Sequence, residues 1–159
     1  MRIIVDGMGG DNAPQEIVKG AMEAARLIEH EIVLVGKEEA ILAELVANGY
    51  NAEDPQQGKI SVVNATEVIL NEDSPVKAVR TKKDSSMVKG IRMLKEGQGD
   101  LFISAGNTGA LMAGSLFNLG RIPGIDRPAI ASIYPIMTQE PALLVDAWAN
   151  AECKPNNLL

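Results

Sequence analysis

The chain has 159 residues, 46% hydrophobic and 23% charged, which is long enough for one domain with a real core. Its net charge of −6 and its 3% aromatic content exclude a general nucleic-acid footprint and a base-stacking platform. A single cysteine, Cys153, leaves no internal disulfide and fits a reducing cytoplasm.

Taken in chain order, Arg2–Asp6 (RIIVD) is a short apolar run ending in an acid, the mark of a buried strand. The run is too short for a signal peptide, and no stretch reaches the length of a membrane span. A loop, GMGGDNAP, follows, with Pro14 suited to the first turn of a helix. Ile17, Ala21, Ala24 and Ile28 recur at helical spacing and predict a helix over 15–29. A second strand is expected at 31–36, an amphipathic helix at 37–48 stopped by Asn48-Gly49, a polar loop through NAEDPQQG, and a third strand at 59–64.

The next stretch is less regular. A short helix from Pro75 precedes a longer one from Ser85 to about Glu96, capped by Asp84 or Ser85. A strand over 101–105 and a helix over 108–119 come next, then the loop GRIPGIDRP and strands at 129–134 and 142–145. Short apolar blocks alternating with helices predict an α/β fold: three layers, α/β/α, around a mostly parallel sheet. The chain closes on AWANAECKPNNLL, a helix start without a helix, so residues 1–159 are expected to be a single α/β domain from the N-terminal part of a longer chain.

In such sheets ligands sit beyond the carboxyl ends of the strands. Three segments qualify: VDGMGGDNAP, SAGNTGA and VDAWAN. In the second, a helix starting near Thr108 leaves its first amides unpaired with a partial positive charge. Gly106 and Gly109 remove Cβ atoms, while Ser104, Asn107 and Thr108 add donors, so a phosphate is the natural occupant. A capped helix in a tight strand–helix turn explains the same residues equally well. The glycines at 7, 9 and 10 fit neither the dinucleotide fingerprint nor the P-loop; that loop, with Asp6 and Asp11, could orient a substrate or be simply a turn.

Arg80, Lys82 and Lys83 beside Ser85 and Ser86 form either a solvated face or a second phosphate contact. His30, the only imidazole, closes a helix and reads as structural, which argues against a Ser-His-Asp triad. One Cys and one His build no metal cluster, although carboxylates could hold Mg²⁺.

Together VDGMGGDNAP, SSMV at 85–88 and ISAGNTGALMAG at 103–114, with GIDRPA and ECKP in order, resemble the phosphate acyltransferases of fatty acid and phospholipid synthesis, the PlsX family. The likeness spans the chain, and family members are about twice as long. It implies a fold similar to the isocitrate/isopropylmalate dehydrogenase and phosphotransacetylase group. It implies a transferase making acyl phosphate from acyl-(acyl carrier protein) and inorganic phosphate in the cytoplasm, without cofactor or metal. Homodimers with peripheral membrane contact are implied too. A coenzyme A-dependent phosphotransacetylase-like enzyme, or an inactive truncated binding domain, are the alternatives.

In that reaction phosphate itself attacks, and a thiolate leaves readily, so positioning and anion stabilisation are what the protein supplies. Asn107 is then expected as the catalytic donor. Asp6, Gly10, Asp11, Ser86, Ser104, Thr108, Gly109 and Asn150 are expected to bind phosphate or substrate. One departure stands out: where the family reads D-x-G-A-N this chain has Trp148 in place of the glycine, an indole in space meant for substrate.

Overall fold

In the computed structural model, which describes residues 1–125, 128–137 and 141–145, four of the apolar blocks pair into one parallel sheet. They are β1 (Arg2–Asp6), β2 (Glu31–Gly36), β3 (Ile60–Asn64) and β4 (Leu101–Ile103), arranged β3-β2-β1-β4. Five helices connect and cover them: α1 (Gln15–Leu27), α2 (Glu38–Ala47), α3 (Pro75–Thr81), α4 (Ser86–Lys95) and α5 (Thr108–Asn118).

The continuous apolar character of β2 follows from cover on both faces. Ile32 and Leu34 pack with Val18, Met22 and Ile41 from α1 and α2. The alternate residues Val33 and Val35 join Ile4 and Met93 on the other face, below α4. A further cluster, Ile69, Val79, Met87, Ile91 and Ala110, ties α3, α4 and α5 to one another. Fully burying a side chain such as Leu34 or Ile41 stabilises by about 1.5–3 kcal/mol.

Strand order places the ligand crevice. The chain steps outward from β1 to β2 to β3, then returns to the opposite side of β1 for β4. The switch point therefore lies between β1 and β4, where the two following loops diverge at the carboxyl edge. Register sets those loops level, with Val5 opposite Ile103.

The residues divide into two compact units, Met1–Leu119 and Gly120–Leu159. In the second, β5 (Ala131–Tyr134) and β6 (Ala142–Val145) pair antiparallel, Ala131 opposite Val145 and Tyr134 opposite Ala142. The blocks expected at 129–134 and 142–145 are thus strands, outside the parallel ladder. Their connection is far shorter than the dozen or more residues that a parallel crossover requires.

Other boundaries shift by a residue or two. The first helix ends at Leu27, not 29, because Ile28 turns extended (φ −125°, ψ 142°). The fourth strand stops at Ile103 rather than 105. Within the expected polar loop, Pro55–Gln57 form one 3₁₀ turn.

Candidate functional site

Three loops meet at the carboxyl edge of the sheet. The first follows β1, the second precedes α3, and the third joins β4 to α5. Asp6, the last residue of β1, is 2% exposed. Its Oδ1 accepts from the Met8 amide (3.1 Å) and its Oδ2 accepts from the Ser104 hydroxyl (2.8 Å), 98 residues away in sequence. Ser104 Oγ in turn accepts from the Gly106 amide (3.1 Å). This relay explains why β4 ends early: Ser104 leaves the ladder to fasten its loop onto β1.

The first and third loops touch through backbone. A methyl group on Gly9 would lie 2.6 Å from Asp6 Oδ2 and 2.9 Å from the Gly106 nitrogen, so only glycine permits the approach. Gly10 takes φ +112°, a conformation that L side chains rarely adopt. Asp11, exposed beyond it, accepts from the Asn71 side-chain amide (2.8 Å), which links the first loop to the second.

Asn107 is the hinge of the arrangement and is 9% exposed. Its Oδ1 accepts from the Ala110 amide (2.9 Å), capping α5. Its Nδ2 faces the carbonyls of Leu70 (3.3 Å), Asn71 (3.0 Å) and Asp73 (3.2 Å). An amide nitrogen has two protons, and here three carbonyl oxygens compete for them. The side chain expected to donate to a reacting oxygen thus holds the second loop in place.

That loop is fastened from its far side as well. The Lys82 ammonium meets the Asp73 carboxylate and the Val68 carbonyl (2.9 Å). Its hydrogen bond, with one from the Leu70 amide, holds the Asp73 carboxyl below the usual carboxylate range. Sequence reasoning missed Asn71, Asp73 and this loop. The signal was NEDSP ahead of a helix-starting proline, where Asp73 folds back on the Leu70 amide as turn-forming acids do.

What remains free is backbone. Thr108 and Gly109, the first two residues of α5, are exposed, and their amides find no partner among the described residues. They lie beside the switch point at the positive end of an 11-residue helix. The space left by the missing Cβ of Gly109 is taken by protein, since a methyl there would meet Pro75 Cγ at 2.8 Å. Gly109 therefore keeps its N–H free, while its α-carbon packs on Pro75, the first residue of α3.

Ser86 opens α4 and is 1% exposed. Its amide donates to the Glu67 carbonyl (3.2 Å). Ser85 is the cap of the helix, accepting from the Val88 amide (3.4 Å). The next residue, Met87, reaches the third loop: its Cε would lie 3.3 Å from a methyl on Gly106. The basic residues before α4 do not gather on the serines. Lys82 serves Asp73, while Arg80 stacks on Phe117.

Of the expected site residues, Asp6, Gly10, Asp11, Ser104, Asn107, Thr108 and Gly109 share one edge; Asn150, like Trp148, lies outside the described residues. His30 precedes β2 and so sits at the opposite edge, its Nδ1 3.5 Å from the N-terminal amine. That edge also carries a cavity of about 630 Å³ lined by Ala25, His30, Lys59 and neighbours, with no expected site residue in it. Helices end there rather than begin, so its carbonyl termini do not attract an anion.

Comparisons with known proteins bear on the family. The model of the fatty acid synthesis protein family matches residues 1–159. A phosphate acyltransferase of Clostridioides difficile (strain 630) is 46% identical over 159 residues, covering 100% of this chain and 45% of that protein. A phosphate acyltransferase of Alkaliphilus oremlandii (strain OhILAs) is 52% identical over 159 residues, covering 100% of this chain and 46% of that protein. The chain thus spans about half the length of the curated relatives it matches.

Proposed function

We propose that this chain, which belongs to the fatty acid synthesis protein family, carries the anion-positioning part of a phosphate acyltransferase. The reaction takes an acyl thioester of acyl carrier protein and inorganic phosphate to acyl phosphate and free carrier thiol, a step of bacterial phospholipid synthesis. One observation carries the reading: the exposed, unpartnered Thr108 and Gly109 amides at the head of α5, set at the switch point of a parallel sheet.

The chemistry needs little else from the protein. A phosphate oxygen attacks the thioester carbonyl, and a tetrahedral oxyanion forms. As it collapses, the carbon–sulfur bond breaks and the thiolate departs with the electron pair. A thiol with a pKa of about 8.5 leaves without a strong acid, so neither histidine nor cysteine is required. Donors fixed before the reaction, aimed where charge develops, lower the barrier. The Thr108 and Gly109 amides and the half-charge of the α5 terminus fill that role for phosphate or the oxyanion.

Asn107 acts through its clamp. By capping α5 and gripping the carbonyls of residues 70–73, it keeps those amides aimed, so its contribution is positional. Asp6 and Ser104 lock the first loop to the third. Gly10 gives the first loop its turn, and Asp11 ties it to Asn71. The buried Ser86 hydroxyl is a further donor in reserve, and Asn150 belongs to the same proposal.

Homodimer formation, a cytoplasmic location and peripheral membrane contact form part of this reading. Supporting an apolar contact surface, Ile133 and Leu143, paired across β5 and β6, are 75% and 64% exposed. Among the described residues no helix is long and apolar enough to cross a membrane.

A chimera tests the reading, with this chain replacing the matched part of the Clostridioides difficile relative. Hydroxylamine trapping should reveal acyl phosphate formed from acyl carrier thioester only when inorganic phosphate is present. A folded chimera yielding none would contradict the proposal, and equal or better use of acyl-coenzyme A would favour the phosphotransacetylase-like alternative.

A further inference from the structure

Away from the carboxyl-edge loops, the first unit carries a cluster of cations on a protein whose net charge is −6. Arg80 on α3, Lys83 just after it and Arg92 on α4 line one groove of about 430 Å³ with Val79, Val88 and Phe117. All three cations are exposed, and none forms an ion pair among the described residues. Their neighbours in sequence behave differently. Lys82 is committed to Asp73 and Lys89 to Asp84.

The groove is also built around an aromatic anchor. The Arg80 guanidinium lies 5.3 Å from the centroid of the Phe117 ring, within cation–π range, which holds its charge at the rim. Phe117 itself is 48% exposed. An exposed aromatic flanked by three uncompensated cations is the anatomy of a protein-binding patch rather than of a small-anion site.

We infer that the Arg80–Lys83–Arg92–Phe117 groove is the docking face for the acidic acyl carrier protein. The inference rests on the function proposed above. Two features favour this occupant. The net charge of −6 disfavours an acidic protein overall, so a cluster of uncompensated cations fixes where and how that partner lands. Its distance from the anion site also suits the substrate. Phe117 lies nine residues along α5 from Thr108, about 14 Å at 1.5 Å per residue. A free small thioester would gain nothing from a face so far from the reacting atoms. A thioester delivered on a carrier's flexible arm needs one at that remove.

The test is a titration of the chain with palmitoyl-charged acyl carrier protein, followed by fluorescence anisotropy, for three forms. These are the parent, Arg80→Glu/Arg92→Glu, and the charge-matched control Arg26→Glu/Lys59→Glu, whose positions are exposed near the opposite sheet edge. The first double variant should weaken carrier binding by about tenfold or more, and the control should leave it nearly unchanged. Phe117→Ala, which keeps every charge, should weaken it by a smaller factor.

Equal losses in both double variants would reduce the effect to net charge and overturn the docking face. So would unaltered binding, or a parent that does not bind the carrier at all. Sedimentation with phosphatidylglycerol vesicles is run in parallel. Vesicle binding lost in Arg80→Glu/Arg92→Glu while carrier binding persists would reassign the groove to lipid and overturn the inference. Amide shifts at Thr108 and Gly109 on adding inorganic phosphate, read on the parent, decide the functional reading separately. Their absence would sink that reading, while the carrier titration still decides the groove.

Discussion

The two edges of the four-stranded sheet are built from the same strands, yet only one is suited to hold an anion. At the amino edge the Arg2 amide donates to Asp100 (2.6 Å) and the Glu31 amide to the Met1 carbonyl (3.2 Å). At the carboxyl edge Asp6 meets Ser104, Asn71 meets Asp11, and Asn107 grips residues 70–73. Both edges are therefore stitched by contacts distant in sequence. The difference is direction: in a parallel sheet the helices begin at one edge and end at the other. Unpaired N–H groups collect at the first and unpaired C=O groups at the second. Side chains stitch either edge, whereas chain direction decides which can host phosphate.

Breaking the carboxyl edge at its tightest point should have the largest effect. Gly9→Ala forces a methyl against Asp6 Oδ2 and the Gly106 backbone, neither of which can swing aside. A loss of about 2–3 kcal/mol is expected, measured as a lower denaturant midpoint with an unchanged slope. Asn107→Ala removes the α5 cap and takes the donor from the Asn71 and Asp73 carbonyls, while the Leu70 carbonyl keeps the Asp73 amide, at a cost of about 2 kcal/mol. In the chimera it should lower the rate of acyl phosphate formation as well. Full activity there would reject the clamp.

Asp84 sharpens the comparison through pH. It ties α4 to the second residue after β3: the Lys89 ammonium, and then the Thr66 hydroxyl and amide, hold its carboxyl well below the usual carboxylate range. A folded-state pKa under the unfolded value of about 3.9 gives a stabilisation complete above that pH, which fades as pH falls towards the folded value. With the pair's side chains 28% and 39% exposed, Asp84→Asn should cost less than about 1 kcal/mol at pH 7. The gap should close on acidification, and a gap constant down to pH 2 would contradict the assignment. At the amino edge His30→Ala is the smallest change expected, within about 0.5 kcal/mol, with phosphate binding untouched.

Much of this frame was legible in the sequence because short apolar blocks and helical periodicity report local burial directly. The strands at 2–6 and 31–36 fall where the residues alone place them. The pairing of β5 with β6 was also written there, in a connector too short for a crossover, but apolar blocks by themselves carry no strand direction. The site was legible in kind and less so in detail. SAGNTGA announces a helix start next to a strand end. That Asn107 would spend its amide on residues 70–73 is a contact across more than thirty positions, and no local pattern encodes it. Asn71 and Asp73 stayed hidden for the same reason, since their partners are set by folding rather than by spacing.

The central claim is that the first amides of α5 receive phosphate. Titrating ¹⁵N-labelled chain with inorganic phosphate and following the backbone amide resonances tests it most directly. Thr108 and Gly109 should shift saturably and more than any residue at the amino edge, His30 and Glu31 included. Shifts confined to Arg80, Lys83 and Arg92, or a flat response at Thr108 and Gly109, would contradict it.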